Sequence, residues 1–308
     1  MGLGRSLLLA AAKSDTLNRI ATRSRIVRRA TRAFMPGETM ADGLDAGVGI
    51  AQSGRSILYT RLGEALTDIR EADAVRDHYL GLFDAIRARG LPAQVSVKPT
   101  QLGFDQSMER CAEHCAALAD KAEATGSALW LDMEDSSTVD RTLELYRVIR
   151  ARHARAGIAL QAYLYRTPKD VEALLPLSPS IRLVKGAYAE PAAVAFPKKA
   201  DTDRAYEEIA GQMLDGAKRG SCIPILGTHD VPLLRRIIAR ARAIGVAAGA
   251  YEIHMLYGIR EREQLMLRAE GETVATLISY GEAWYRWYMR RLAERPANVG
   301  FVVRSMFG

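Results

Sequence analysis

The chain has 308 residues, 48% of them apolar, which suits one large domain with a sizeable core. Three cysteines, Cys111, Cys115 and Cys222, suit a reducing compartment better than a disulfide scaffold, and no run nears the ~20 apolar residues of a membrane span. The net charge of +7 sits in residues 1–35, which hold eight Arg or Lys and one acid, Asp15; the remaining 273 residues balance, which argues against a nucleic-acid enzyme.

Residues 1–35 mix apolar residues with arginines at roughly helical spacing. Three readings fit: a solvated packing helix, a helix lying on an anionic membrane surface, or a transit-type segment. The expected organisation is a basic helical arm over 1–50, followed by one barrel over 51–308. The arm is the expected point of peripheral contact for a cytoplasmic protein at the inner face of a membrane.

From about residue 50 the pattern alternates. Short apolar, β-prone runs are expected as strands at 56–60, 93–98, 128–133, 158–165, 181–187, 222–229, 249–256 and 273–279. Ten or more residues of helical pattern separate them. Thr167-Pro168 reads as a cap followed by a proline at the first helical position, and Gly126, Gly220 and Gly245 read as helix stops. Cys111, His114 and Cys115 fall in a helical stretch, so a plain helix is favoured over a metal site. Eight strands alternating with helices predict an α/β fold, a closed (β/α)8 TIM-type barrel with an N-terminal helical extension.

Chemistry in such a barrel gathers at the carboxyl ends of the strands. Lys98, Asp132, Glu134, Asp135, Gln161, Tyr163, Arg166, Lys185, Tyr188, Thr228, His229, Glu252 and His254 fall at or near those ends. The set is rich in donors and cations, and no HExxH, GxSxG or P-loop pattern accompanies it. It is suited to an anionic, hydrogen-bonding ligand, with no metal expected. In "RLVKGAY" (182–188), Gly186 and Ala187 would let a flat or phosphorylated ligand approach the backbone closely. The last helix sets Arg290 and Arg291 beside Trp284, Trp287 and Tyr288, which suits a carboxylate under an aromatic lid.

The motifs "SVK" (96–98), "LDMED" (131–135), "QAYLYRT" (161–167), "RLVKGAYAEP" (182–191), "GTHD" (227–230), "YEIHMLYGIR" (251–260) and "YGEAWYRWYMRRLAERPAN" (280–298) resemble those of the proline dehydrogenases. These are FAD enzymes that oxidise L-proline to Δ1-pyrroline-5-carboxylate. The resemblance runs from residue 34 to residue 301. It implies that Arg182, Val184, Lys185, Gly186 and Ala187 hold the flavin, with Arg182 beside the N5 atom that accepts hydride. Gln161, Lys198, Thr202, Thr228, His229, His254 and Glu294 would hold the rest of FAD. Lys98, Arg290 and Arg291 would bind the substrate carboxylate, Asp132 would orient them, and Tyr188 and Leu256 would wall the ring. Arg182, Lys98 and Asp132 are the implied catalytic set. A quinone-type membrane acceptor and a separate pyrroline-5-carboxylate dehydrogenase are the implied partners.

Three positions depart from the family pattern. Trp287 and Leu277 stand where the family has tyrosines that cover the substrate ring, and His254 stands where it has glutamine. Two other readings remain open: a flavin dehydrogenase of another cyclic imino acid such as hydroxyproline, and a barrel with a Schiff-base lysine or a binding role only.

Overall fold

The computed structural model describes residues 31–63, 66, 68–285 and 287–289, together with Arg19 and Val27. Most of the basic segment, and the positions Arg290, Arg291 and Glu294, lie outside them. Eight parallel strands close into a barrel in sequence order. They are β1 Ser56–Arg61, β2 Ala93–Val97, β3 Leu129–Leu131, β4 Ala156–Gln161, β5 Ser180–Val184, β6 Ile223–Gly227, β7 Glu252–Leu256 and β8 Val274–Tyr280. Closure runs from Ser56 opposite Ala275 to Arg61 opposite Tyr280.

Helix α1, Met40–Gln52, starts at a capping box in which Thr39 and Asp42 exchange hydrogen bonds, and it packs on β8 and β1. Around the barrel follow α2 Ile69–Ala88, α3 Met108–Ala124, α4 Val139–Arg150, α5 Thr167–Leu174, α6 Lys199–Lys218, α7 Val231–Ala243 and α8 Glu261–Ala269. The strands are nearly continuous apolar runs because one face meets the helices and the other the barrel interior. Leu58, Trp130, Ile225 and Leu277 come from β1, β3, β6 and β8 and form one cluster, which places them inside. Side-chain direction alternates along each strand, so Asp132, two residues past Trp130, is carried to the same interior.

Two local expectations change. The fourth strand ends at Gln161, not at 165. The amides of Ala162 and Tyr163 still bond to Val184 O and Lys185 O at 2.8 and 3.0 Å, but Leu164 turns back on Gln161. Leu164 then forms an antiparallel bridge with Ala195, which folds the segment after β5 over this corner. Thr167 is the first residue of α5 and not its cap; its hydroxyl donates to Gln161 O at 2.6 Å. Gly126, Gly220 and Gly245 do end helices with positive φ. Cys111, His114 and Cys115 share the buried face of α3, where the His114 ring nitrogens lie 3.0 Å from Leu102 O and from Asp73. Among the described residues, no group of three or more potential metal ligands gathers, and no helix is long and apolar enough to cross a membrane.

Candidate active site

β2, β3 and β5 deliver charge to one point. Asp132 Oδ1 accepts from Ser96 Oγ at 2.7 Å and from Arg182 Nη2. The same Nη2 lies 2.9 Å from Ser96 Oγ, and Lys98 Nζ is 3.6 Å from Asp132 Oδ2. Arg182 is only 4% exposed, and its Nη1 is buried without a protein partner. Burial lowers the Arg182 pKa from its ordinary value while Asp132 opposes that shift. The guanidinium nevertheless remains charged. Below it lies the Trp130 ring, 5.2 Å from the guanidinium carbon.

His254 forms the next layer. Its Nε2 sits 3.0 Å from Glu252, and its Nδ1 is buried without a partner. Burial lowers the His254 pKa, which favours the neutral ring. Burial pushes Glu252 up, but the interactions with His254 and a hydrogen bond from Gln94 together outweigh it and leave the carboxylate below its usual value. The proton therefore belongs on Nε2, and Nδ1 is a bare acceptor. Gln161 resembles it: Nε2 donates to Glu134 O at 3.0 Å, while Oε1 is buried and unpaired. The Glu134 carboxylate takes the Thr100 N–H and hydroxyl at 3.1 and 2.8 Å, yet burial still raises its pKa.

A second charged group surrounds Lys185, whose ammonium lies 2.5 Å from Asp203 and 2.7 Å from Asp230. Burial works against both carboxylates, but Lys185 and Lys199 together, with the Leu233 amide at Asp230, hold each below its usual pKa. Gly186, with φ +118°, follows; a Cβ there would stand 2.5 Å from the Tyr163 ring, so only glycine fits. Val184, Ala187 and Tyr188 are half-buried around it. Thr228 Oγ1 accepts from Asp230 N at 3.2 Å, and His229 Nε2 accepts from Leu256 N at 2.8 Å, which ties β6 to β7. Lys198 is exposed ahead of α6, and Thr202 is buried in that helix's first turn.

The two positions that stand where the family has ring-covering tyrosines lie in different apolar clusters. Leu277 packs on Leu58, Trp130 and Ile225 in the barrel interior. Trp287 is buried with Val27, Met35, Leu62, Trp284, Tyr285 and Tyr288, and Trp284 Nε1 donates to Glu38 at 3.0 Å.

This arrangement can now be set beside known proteins. The family pattern described as proline dehydrogenase matches residues 47–304. The chain belongs to the proline dehydrogenase family. It is 36% identical to the proline dehydrogenase of Deinococcus radiodurans, over 89% of this chain and 88% of that one. It is 33% identical to proline dehydrogenase 1 of Bacillus subtilis, with 98% of each chain covered. Among solved structures, proline utilization A of Bdellovibrio bacteriovorus, inactivated by N-propargylglycine, superimposes with a TM-score of 0.81 at 21% identity. That match covers 94% of this chain and 38% of the larger protein, and it supports the same barrel fold.

Ser96, Gln94, Trp130 and Gly157 were not singled out from the sequence. The signal was present: two-residue steps back from Lys98 and Asp132 lead to Ser96, Gln94 and Trp130. Their roles needed the contacts across the barrel.

Proposed function

We propose that this chain oxidises L-proline to Δ1-pyrroline-5-carboxylate with FAD as cofactor. The family and the names of its relatives support the substrate. The observation that carries the reading is the buried Arg182 guanidinium, paired through Nη2 to Asp132 and Ser96 but with Nη1 unpaired, while the other oxygen of Asp132 lies 3.6 Å from Lys98. The donor set fits a flavin, whose ring edge alternates donors and acceptors. Arg182 Nη1 is a cationic donor, while Gln161 Oε1 and His254 Nδ1 are acceptors without protein partners.

In the reaction one C–H and one N–H bond of the ring break and a C=N bond forms. When bound, the flavin supplies the acceptor, at N5, for the hydride leaving the ring carbon. Arg182 supplies positive charge where negative charge grows during transfer. Lys98, with Arg290 and Arg291, holds the substrate carboxylate in one orientation, and Asp132 fixes Lys98 and Arg182 relative to each other. Tyr188, Leu256, Leu277 and Trp287 wall the ring. Val184, Lys185, Gly186, Ala187, Lys198, Thr202, Thr228, His229 and Glu294 hold the remainder of the cofactor. Electrons then pass to a quinone-type acceptor, and a separate pyrroline-5-carboxylate dehydrogenase consumes the product. We place the protein in the cytoplasm, with residues 1–35 as its peripheral membrane contact and residues 51–308 as the catalytic barrel.

Lys98 and Lys185 face carboxylates, the opposite of the desolvated setting that a Schiff-base lysine needs. The test is anaerobic titration of the purified protein with L-proline and trans-4-hydroxyproline. A flavin spectrum that bleaches with L-proline is expected. Bleaching by hydroxyproline alone would move the assignment to that substrate, and a colourless protein would overturn the flavin reading.

A further inference from the structure

A guanidinium beside a carboxylate ordinarily closes a fork of two parallel hydrogen bonds. Arg182 and Asp132 do not close it. Only Nη2 reaches Oδ1, Ser96 shares that nitrogen, and Oδ2 lies toward Lys98. Nη1 is left buried and unpaired. A buried donor without a partner is costly, so something must hold the plane in this setting. The feature on its face is the Trp130 indole, 5.2 Å from the guanidinium carbon.

The indole is itself fixed on three sides. Its Nε1 donates to Gln94 Oε1 at 2.5 Å. The His254 ring meets it edge-on at 5.8 Å and 71°, and Glu252 anchors that ring. On the third side Gly157 lies opposite Trp130 in the β3–β4 register, and a Cβ there would stand 2.4 Å from the ring. The indole thus occupies the space of the side chain that β4 lacks. Trp130 is 3% exposed, so it is part of the packed interior and not a rim residue.

We propose that Trp130 is a positioning residue: its indole face holds the Arg182 guanidinium out of a closed fork with Asp132, which keeps Nη1 available to the bound cofactor. This rests on the flavin reading for the last step only. Without the indole face, Arg182 rotates onto both oxygens of Asp132. Asp132 then releases Lys98, and the positive charge next to the cofactor is neutralised. Gly157 acts through the same contact, because any side chain there displaces the indole.

The experiment compares Trp130→Leu, Trp130→Phe and Gly157→Ala with wild type by spectroelectrochemistry. Trp130→Leu should lower the reduced-to-oxidised flavin ratio at fixed potential about tenfold, a shift of ~30 mV for a two-electron couple. Gly157→Ala should do the same. Trp130→Phe keeps an aromatic face and should retain most of the wild-type potential, which a purely structural role would not predict. A second readout is independent of flavin. In ¹⁵N-arginine-labelled protein as purified, the Arg182 Nε–H resonance, assigned by its loss in Arg182→Lys, should carry an indole ring-current shift. Trp130→Leu and Gly157→Ala should each remove that shift. Wild-type potentials in both variants, or an Nε–H resonance that neither variant moves, would overturn the proposal. If Trp130→Leu does not fold, Trp130→Phe and Gly157→Ala decide it. A wild-type protein without flavin would sink the cofactor reading alone, because the resonance still reports the contact.

Discussion

Two arginines are buried to nearly the same degree, Arg55 at 3% exposed and Arg182 at 4%, yet they are used differently. Arg55, just before β1, uses its whole guanidinium on the protein. Nε donates to Ser53 Oγ at 2.7 Å, Nη1 to Gln264 Oε1 at 3.1 Å and Nη2 to Glu261 at 2.5 Å. Gln264 in turn takes the Thr276 hydroxyl at 2.7 Å and donates to Leu256 O and Ile259 O. Arg182, inside the barrel, engages through Nη2 and leaves Nη1 unpaired. The first arginine completes a closed network that ties α8 to the barrel wall. The second is an incomplete network with one donor left over for a further partner.

The largest expected effect tests the open network. Arg182→Ala should reduce kcat/KM for L-proline about 10²–10³-fold, as loss of one preorganised donor does, and lower the flavin potential, while melting changes little. Rapid anaerobic mixing and spectroelectrochemistry measure it; a wild-type rate, or an equal or higher potential, would break the contrast. Next, Arg55→Met should leave turnover per bound flavin intact but destabilise the fold by about 2–3 kcal/mol, since Gln264 loses a buried partner. Chemical denaturation gives that figure, and lost turnover at unchanged stability would invert the assignment.

Lys98→Met should raise the KM for L-proline about tenfold with little change in FAD content, the worth of one charge-assisted contact. Arg291→Met, at a position outside the described residues, is expected to behave alike. An unchanged KM in either variant removes that cation from the carboxylate site.

The smallest effect concerns His78 on α2. Burial pushes His78 down to about 4, with Nε2 2.8 Å from the Tyr280 hydroxyl. An unfolded histidine titrates near 6.5, so between about 4 and 6.5 the unfolded chain binds more protons. The contribution of His78 is therefore full above about pH 6.5 and declines as pH falls toward 4. His78→Gln should flatten the melting temperature against pH in that window, and an unaltered slope would assign the pH response to other groups.

Much of the barrel was legible beforehand. Apolar runs separated by helical spacing gave the number and order of the strands, and the carboxyl-end rule pointed to Lys98, Asp132 and Lys185. The end of β4 was not legible, because its amides continue bonding to β5 while the chain is already turning toward Ala195. Nor was the cap of α5: Thr167 uses its hydroxyl on Gln161 O, a contact that exists only once the corner has formed.

The sequence by itself determined the alternation of apolar runs with helical stretches, the number of strands and the placing of charge at strand ends, since each depends on residues close in the chain. Tertiary structure alone decided which buried arginine is closed and which is open. Arg55 and Gln264 are 209 residues apart, and Arg182 and Ser96 are 86 apart. No local pattern encodes such pairs; they follow from the stagger of a closed sheet, which sets which side chains meet inside it. The same closure puts Gly157 against Trp130 and Trp130 against Arg182, and so turns three separate letters into one contact.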